Sequence, residues 1–300
     1  MYHKPVLLTE SIEGLAIRPD GIYVDLTFGG GGHSRAILDR LKNGHLYAFD
    51  QDEDALVNLS SDPRFTFIAA NFRFFTHFLQ YHAAWPVDGI LADLGVSSHQ
   101  FDTADRGFSS RFDAPLDMRM NRTQGRTAAD ILADSDRPEL IRIFREYGEI
   151  QHAGALATAI LKRRQEKPIA TTLDLRETAL PLAPPRKENQ YLAKVFQALR
   201  IEVNQELSAL KEMLMALPAS LKPGGRVAII TYHSLEDRMV KHFLKTGNLD
   251  GLLEKDFFGK PLSPFSLVTR KAITPEEAEI QENPRARSAR LRIAARNDIQ

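Results

Sequence analysis

Three acidic residues and one run of glycines carry most of the chemistry this sequence offers. Val24-Asp25-Leu26-Thr27-Phe28 leads into Gly29-Gly30-Gly31-Gly32 and then His33-Ser34, so an apolar run ends in an acid and a glycine loop before a helical pattern begins. Glycine has no Cβ and tolerates positive φ, and such a loop lets backbone pass close to a bound molecule. The dinucleotide fingerprint G-x-G-x-x-G is not met: counted from Gly29 the third glycine falls at Ser34, and from Gly30 at Arg35. An acid at a strand end followed by this loop suits a nucleoside whose sugar and amino-acid tail lie over the glycines, with no pyrophosphate on the helix N-terminus. A plain turn without a ligand is the competing reading. Consecutive glycines are an entropically costly way to make one. Valine at Gly31 or Gly32 is therefore expected to fill space claimed by the ligand and to leave most of the fold intact.

Asp50 ends a second strand-like run, Tyr47-Ala48-Phe49-Asp50. A carboxylate there can accept hydrogen bonds from both ribose hydroxyls of a nucleotide, although strand ends also carry capping or solvated acids. Asn71-Phe72 follows the third strand, where an aromatic ring could cover an adenine; Phe74, Phe75 and Phe78 lie nearby, and a core role is expected for most of the four. Asp93-Leu94-Gly95-Val96-Ser97-Ser98-His99-Gln100 leaves a fourth strand. In enzymes that methylate exocyclic amines, this edge carries an Asp, Asn or Ser, usually with two prolines and an aromatic ring behind it. Such a nitrogen is a poor nucleophile, and an acceptor must orient it and ease loss of its proton. Here the acid stands without the prolines, and a structural carboxylate capping the turn is the alternative. Tyr232-His233-Ser234 follows a fifth strand, where His233 could orient a base or accept a proton at neutral pH. A structural histidine is the alternative there. Glu236 and Asp237 suit a helix N-terminus.

These residues must be held by elements, and the pattern says which. Residues 6–17 have helical spacing with Thr9 as a cap. Strand patterns at Ile22–Leu26, Gly44–Asp50, Phe65–Ile68 and Val87–Leu94 alternate with helical ones, one from Ser34 to about Leu41 and another starting near Asp52. That rhythm means βαβ units and a parallel sheet, whose ligands bind outside the carboxyl ends of the strands. After about Arg106 the rhythm breaks. Helical patterns follow at Ala128–Leu132, Pro138–Tyr147, Ala153–Arg164 and Leu173–Leu180, with no strand candidate between. A long helix from about Leu192 to Leu221 and the strand Arg226–Tyr232 restore the alternation, and Phe265–Ile273 and Ser288–Arg296 read as the last strands. The expected organisation is an α/β domain over 1–106 and 191–300, with a helical domain inserted over 107–190.

Composition bounds the rest. The 300 residues are 43% hydrophobic and 26% charged, as in a globular protein with a sizeable core. There is no cysteine, which excludes disulfides, thiolate catalysis and thiolate metal sites in this sequence. No apolar run approaches the ~20 residues needed to span a bilayer, and Met1-Tyr2-His3-Lys4-Pro5 has no signal-peptide form, so no membrane and a cytoplasmic location are expected. Lys and Arg total 39 against 39 Asp and Glu, so gross charge announces no polyanion. Locally, residues 106–200 hold 17 Lys/Arg against 12 Asp/Glu, including Lys162-Arg163-Arg164, and Pro284 to Arg296 hold five arginines and no acid. Phosphate contacts are one reading of this excess, and favourable placement of basic residues at helix C-termini is another.

Taken together, the chain resembles the bacterial small-subunit ribosomal RNA methyltransferase H family (MraW), nearly end to end. The resemblance rests on His3-Lys4-Pro5-Val6-Leu7-Leu8, the Gly29–Ser34 loop, Asp88-Gly89-Ile90-Leu91-Ala92-Asp93-Leu94-Gly95-Val96-Ser97-Ser98, Asp105-Arg106-Gly107-Phe108-Ser109 and Pro115-Leu116-Asp117-Met118-Arg119-Met120. Phe196-Gln197-Ala198-Leu199-Arg200-Ile201, His233-Ser234-Leu235-Glu236-Asp237-Arg238 and Glu282-Asn283-Pro284-Arg285-Ala286-Arg287-Ser288 complete it. The resemblance implies a Rossmann-like class I methyltransferase sheet, mostly parallel with one antiparallel strand. It implies S-adenosyl-L-methionine as cofactor, no metal, and methylation of cytosine N4 in the decoding region of 16S ribosomal RNA within the small ribosomal subunit. The family's cofactor contacts fall on Gly31, Gly32, His33, Asp50, Phe72, Asp93 and Gln100, and Asp93 and His233 are the candidate catalytic residues. Gly30 stands where some relatives carry Arg, His99 where Pro is frequent, and the connection from Phe257 to Pro264 is shorter than in some relatives. A noncatalytic RNA-binding assembly factor that senses a nucleoside and a nicotinamide-dependent oxidoreductase are the competing classes. The oligomeric state stays open, a homodimer included.

Overall fold

A short helix, α1 (Leu8–Leu15), comes first in the computed structural model, which describes residues 5–259 and 261–298. Its N-cap is Leu7, left-handed at φ 50°, whose N–H donates to Glu279 Oε1 at 2.8 Å; Thr9, the expected cap, lies inside the helix. Next come β1 (Ile22–Asp25), α2 (Gly32–Leu38), β2 (His45–Asp50), β3 (Phe65–Ala69), α3 (Phe75–Tyr81) and β4 (Val87–Asp93). The helix expected from Asp52 is a 3₁₀ turn, Glu53–Asn58, which Asp52 caps by accepting from the Asp54 N–H. By their internal contacts the residues form two units, one running to Gly95 and resuming at Leu207, the other Val96–Glu206.

The second unit is helical. It contains α4 (Ser98–Asp102), α5 (Ala128–Asp134), α6 (Arg137–Glu146), α7 (Ala153–Glu166), α8 (Thr172–Ala179) and α9 (Glu188–Asn204). Small polar residues start four of these helices: Ser97, Thr127 and Thr171 in capping boxes with Gln100, Asp130 and Asp174, and Asp136 alone. Leu140, Phe144, Leu156, Ile160, Leu175 and Leu199 are fully buried in its core. Its limits lie outside the expected 107 and 190. Buried Arg106 donates to the carbonyls of Arg119 and Met120, each at 3.1 Å, while Asn204 donates to the Met118 carbonyl at 2.8 Å and accepts from the Met120 N–H at 2.7 Å. The segment before α5 and the end of α9 are thereby tied into this unit. Part of its basic excess is structural. Arg163 pairs with Asp174 at 3.4 Å, and Arg164 donates to the carbonyls of Leu132 and Ser135 at 3.0 and 2.8 Å.

The expected long helix is two helices. Gln205 adopts φ 51° between α9 and α10 (Glu206–Ser220), and its side-chain amide donates to the Glu202 carbonyl at 2.8 Å. A left-handed glutamine costs about 1–2 kcal/mol, and no glycine or proline marks the break. The first unit then continues with β5 (Leu221–Thr231), α11 (Ser234–Thr246), β6 (Phe265–Leu267), α12 (Glu277–Glu282) and β7 (Arg290–Arg296). The strand expected over Phe265–Ile273 shrinks to three residues, with Ile273 adding one isolated bridge to Leu291.

The strands form one sheet in the order β3-β2-β1-β4-β5-β7-β6. Only β7 among the described strands runs against its neighbours, giving the Rossmann-like, mostly parallel sheet expected. Alternate residues face opposite layers: Ile90, Ala92, Val227 and Ile229 pack with Phe75, Met213 and Val240, whereas Leu91, Ala228 and Ile230 pack with Leu15, Ile37 and Ile293. The strand order reverses at β1, which lies between β2 and β4. Register sets Asp25 beside Ala48 and Leu91, Asp50 beside Ala69, and Asp93 beside Ile230. The acids at the ends of β1, β2 and β4 therefore stand along one carboxyl edge at the switch point, where open α/β sheets bind ligands.

Candidate active site

The loop after β1 is built to fold back on its own helix. Asp25 is fully buried; its Oδ2 accepts from the Ser34 hydroxyl at 2.7 Å and its Oδ1 from the Thr27 N–H at 3.1 Å. Burial pushes its carboxyl up to about 6, opposed by those hydrogen bonds. Gly29 and Gly31 take φ 48° and 71°, a region that favours glycine. A Cβ on Gly31 would lie 2.9 Å from the Phe28 ring, and one on Gly32 would lie 2.1 Å from Pro5 Cγ, whereas one on Gly29 would meet nothing within 4 Å. The protein's own packing therefore demands Gly31 and Gly32. The expectation that a valine there would leave most of the fold intact is corrected.

Asp50 uses one lone pair of each oxygen inside the protein, Oδ2 for the Gly29 N–H at 2.7 Å and Oδ1 for the Asp52 N–H at 2.9 Å. A carboxylate has about four acceptor positions, so two remain for a ligand. Burial raises its pKa to about 6 against the pull of those N–H groups. Gln51 accepts from the Asn71 side chain at 2.9 Å, which fixes the loop after β3 to the end of β2. Phe72 follows Asn71 on a 3₁₀ turn and is partly exposed; Phe75 is fully buried, Phe78 meets Phe49 edge-on, and Phe74 is exposed. The core role expected for most of these rings holds for Phe75, and Phe72 and Phe78 pack, partly buried, against the same core.

Asp93 is fixed from both sides. Its N–H donates to Thr27 Oγ1 at 2.7 Å, and its Oδ1 accepts from the Tyr232 hydroxyl at 2.7 Å. Oδ2 faces His33 Nδ1 at 3.8 Å. His33 is buried and its Nε2 lies 3.1 Å from the Val6 carbonyl. A carbonyl only accepts, so Nε2 carries the proton and Nδ1 presents a lone pair. Burial lowers His33 to about 4, which keeps it neutral at physiological pH and rules out an ion pair with Asp93 there. Burial also drives Asp93 up to about 7, the charges of Asp25 and Glu236 adding and the Tyr232 hydroxyl opposing. This carboxyl can hold or release a proton near neutrality.

His233 is the N-cap of α11, its Nδ1 accepting from the Glu236 N–H at 3.4 Å, and Glu236 answers by accepting from the His233 N–H at 3.4 Å and also from the Tyr232 N–H at 2.9 Å. One ring nitrogen is thus engaged in the capping box, while the other, Nε2, is buried 3.1 Å from Glu236 Oε1 without a hydrogen bond. Gln100 belongs to the helical unit, where it is buried and its side-chain oxygen accepts from the Ser97 N–H at 3.0 Å to close the box that starts α4. Two residues escaped the sequence reading. Thr27 and Tyr232 both grip Asp93; their signal was position, one inside the glycine-loop segment and the other directly after β5, the strand paired with β4.

The comparisons with known proteins agree along the whole chain. Residues 1–297 match the family model described as the MraW methylase family. The chain is 57% identical over 300 residues to "Ribosomal RNA small subunit methyltransferase H" of Amoebophilus asiaticus, covering 99% of this chain and 97% of that protein. The protein of the same name from Bacteroides thetaiotaomicron is 58% identical over 294 residues, with 98% and 97% covered. That from Cytophaga hutchinsonii is 56% identical over 298 residues, with 99% and 100% covered.

Proposed function

We propose a function from one premise: the chain belongs to the MraW methylase family. It moves a methyl group from S-adenosyl-L-methionine to N4 of a cytosine in the decoding region of 16S ribosomal RNA, acting on the small ribosomal subunit in the cytoplasm. The observation that carries this reading is Asp93, a carboxyl at the end of β4 gripped by Tyr232 and Thr27 and shifted to about 7. Cytosine N4 is a weak nucleophile, and a general base works best when its pKa lies near the operating pH. Asp93 would orient the amine and take its proton as the new bond forms. The family comparison favours neither the oxidoreductase nor the noncatalytic assembly factor.

The donor set fits the cofactor. Asp50 has two acceptor positions left for ribose hydroxyls, and the Phe72 ring is exposed enough to lie on adenine. Gly29, whose missing Cβ would meet nothing within 4 Å, leaves room over the loop. Gly31, Gly32 and His33 shape that loop. The bound cofactor supplies an electrophilic methyl group, and no metal is required. His233 acts as a positioning residue that holds Tyr232 against Asp93. The helical unit, Val96–Glu206, is the proposed RNA-holding module. With no cysteine in the sequence to attack a pyrimidine ring, methylation of ring carbon lacks its usual nucleophile. No helix among the described residues is long and apolar enough to cross a membrane.

The test is the product. Small subunits lacking the modification are incubated with labelled S-adenosylmethionine, and the RNA is digested to nucleosides for mass spectrometry. N4-methylcytidine is expected, with less product from a short single-stranded oligonucleotide. A methyl group on ring carbon or ribose oxygen would refute the reading.

A further inference from the structure

One cleft of the first unit lies beside the methyl-transfer site, sharing Tyr232 and His233 with it. It encloses about 570 Å³ between α11 and the turn that leads into β7, and its charged lining is Arg238, Lys241, Arg287, Arg290 and Asp237. Four permanent cations thus face one carboxylate. That carboxylate is already engaged, accepting from Arg290 at 3.2 Å and from Arg292 at 2.7 and 3.1 Å. Ser234, Ser288 and Thr274 add hydroxyl donors to the wall. Cations with short hydroxyl donors form a phosphate-binding set. The cleft also touches the active site, because Tyr232 lines it and donates its hydroxyl to Asp93.

The loop that carries an aromatic turn starts beside the cleft. His242 lines the cleft, and a Cβ on Gly251 would lie 3.0 Å from the His242 ring, so the loop after Gly251 starts against the cleft wall. This loop is braced. Asn248 bonds both backbone groups of Leu252, Leu262 N–H donates to the Glu254 carbonyl at 2.9 Å, and Lys255 and Pro261 form a bridge. Its tip closes when Asp256 accepts from the N–H groups of Phe258 and Gly259 at 2.9 and 3.0 Å. Phe257 and Phe258 stand 97% and 89% exposed there, their rings edge-to-face at 5.6 Å. Water is a poor partner for two adjacent phenylalanines on an ordered turn, and such a patch marks an interaction surface.

We propose that the cleft and the Phe257–Phe258 turn together bind single-stranded RNA flanking the target nucleotide, with phosphates in the cleft and an unpaired base stacked on the aromatic turn. The proposal rests on the RNA-methylating reading for the identity of the strand. Charge selects the occupant: a polyanion with aromatic faces matches a cationic cleft and a loop, starting at its wall, that exposes two rings, and base–aromatic stacking is sequence-tolerant.

The experiment measures fluorescence anisotropy of a labelled single-stranded RNA 12-mer and of its duplex, each titrated with the full-length protein across a salt series. Two double variants are compared with the unmodified protein, Lys241→Gln with Arg287→Gln, and Phe257→Ser with Phe258→Ser. All four side chains are exposed, and melting curves check that folding is retained. Loss of the two cations should lower the salt slope for the single strand by about 1.4. Loss of the two rings should weaken single-strand binding roughly tenfold with the salt slope unchanged and duplex binding little affected. Both variants should keep the affinity for S-adenosylmethionine seen by calorimetry. Single-strand affinities and slopes equal to those of the unmodified protein would overturn the proposal. So would a ring variant that loses only binding to anionic phosphatidylglycerol vesicles. If these shifts appear but no N4-methylcytidine is ever formed, the reading of the reaction falls while the strand site stands.

Discussion

Asp25 and Asp93 are the same residue type at the ends of adjacent parallel strands, yet their surroundings give them opposite work. Asp25 is sealed by burial, and each of its oxygens accepts one hydrogen bond, from Ser34 or Thr27 of its own loop. Asp93 is held by Thr27 through its backbone and by Tyr232 through one oxygen, while the other oxygen faces a neutral histidine and the side chain stays 23% exposed. Both carboxyls are raised by burial. Only one can be reached from outside: Asp25 is fully buried, whereas the Asp93 side chain is partly exposed. The contrast teaches that a perturbed carboxyl is not a reactive one unless a substrate can reach it, and that β1 supplies the frame in which β4 presents the chemistry.

The widest gap should open in turnover. Asp93→Asn keeps the shape and removes the base, and single-turnover methylation should slow about 10²–10⁴-fold, in line with the loss of general-base catalysis. Asp25→Asn should leave the rate within a few-fold. Equal losses in both would erase the distinction. Asp50→Ala comes next: two hydrogen bonds to a charged acceptor, each worth roughly 1.5–3 kcal/mol, should weaken S-adenosylmethionine about a hundredfold or more in calorimetry. Unchanged affinity in a folded variant would remove Asp50 from the site. Gly31→Val should lower stability to urea by about 2–3 kcal/mol, combining the left-handed backbone with the Phe28 clash, whereas Gly29→Ala should cost only about 1 kcal/mol.

The smallest effect separates Asp25 by pH. Its pKa rises from 3.8 to about 6 on folding, so the folded chain binds that proton more tightly than the unfolded chain does. The stabilisation is complete below about pH 4 and is lost as pH rises through about 6. Asparagine cannot ionise. The stability advantage of the natural residue over Asp25→Asn should therefore narrow by roughly 2 kcal/mol between pH 4 and 7. A gap that widens over this range would contradict the burial of an ionising Asp25.

What could be read from the sequence follows a physical divide. The glycine loop, Asp50 and Asp93 were legible because short-range rules govern them: an apolar run, a turn residue, an acid at a strand end. Tyr232 was not, because its grip on Asp93 depends on the register of β4 against β5. The tautomer of His33 depends on a carbonyl 27 positions away, at Val6, while burial keeps the ring neutral. The helical unit extends past 107 and 190 through contacts of the same kind, buried Arg106 and Asn204 both bonding to residues 118–120. The break at Gln205 has no local signature at all. The helices of that unit, started by Thr127, Asp136 and Thr171, fell within a few residues of their expected positions.

The most direct measurement is the pH dependence of single-turnover methyl transfer for the unmodified protein and for Tyr232→Phe. The Tyr232 hydroxyl holds Asp93 down while burial pushes it up. The rate should therefore rise through an inflection near pH 7 in the unmodified protein, and the inflection should move to higher pH in Tyr232→Phe, with a loss of about tenfold at neutral pH. A rate that is flat from pH 5 to 9, or an inflection that stays in place when the hydroxyl is removed, would contradict Asp93 as the group that takes the proton.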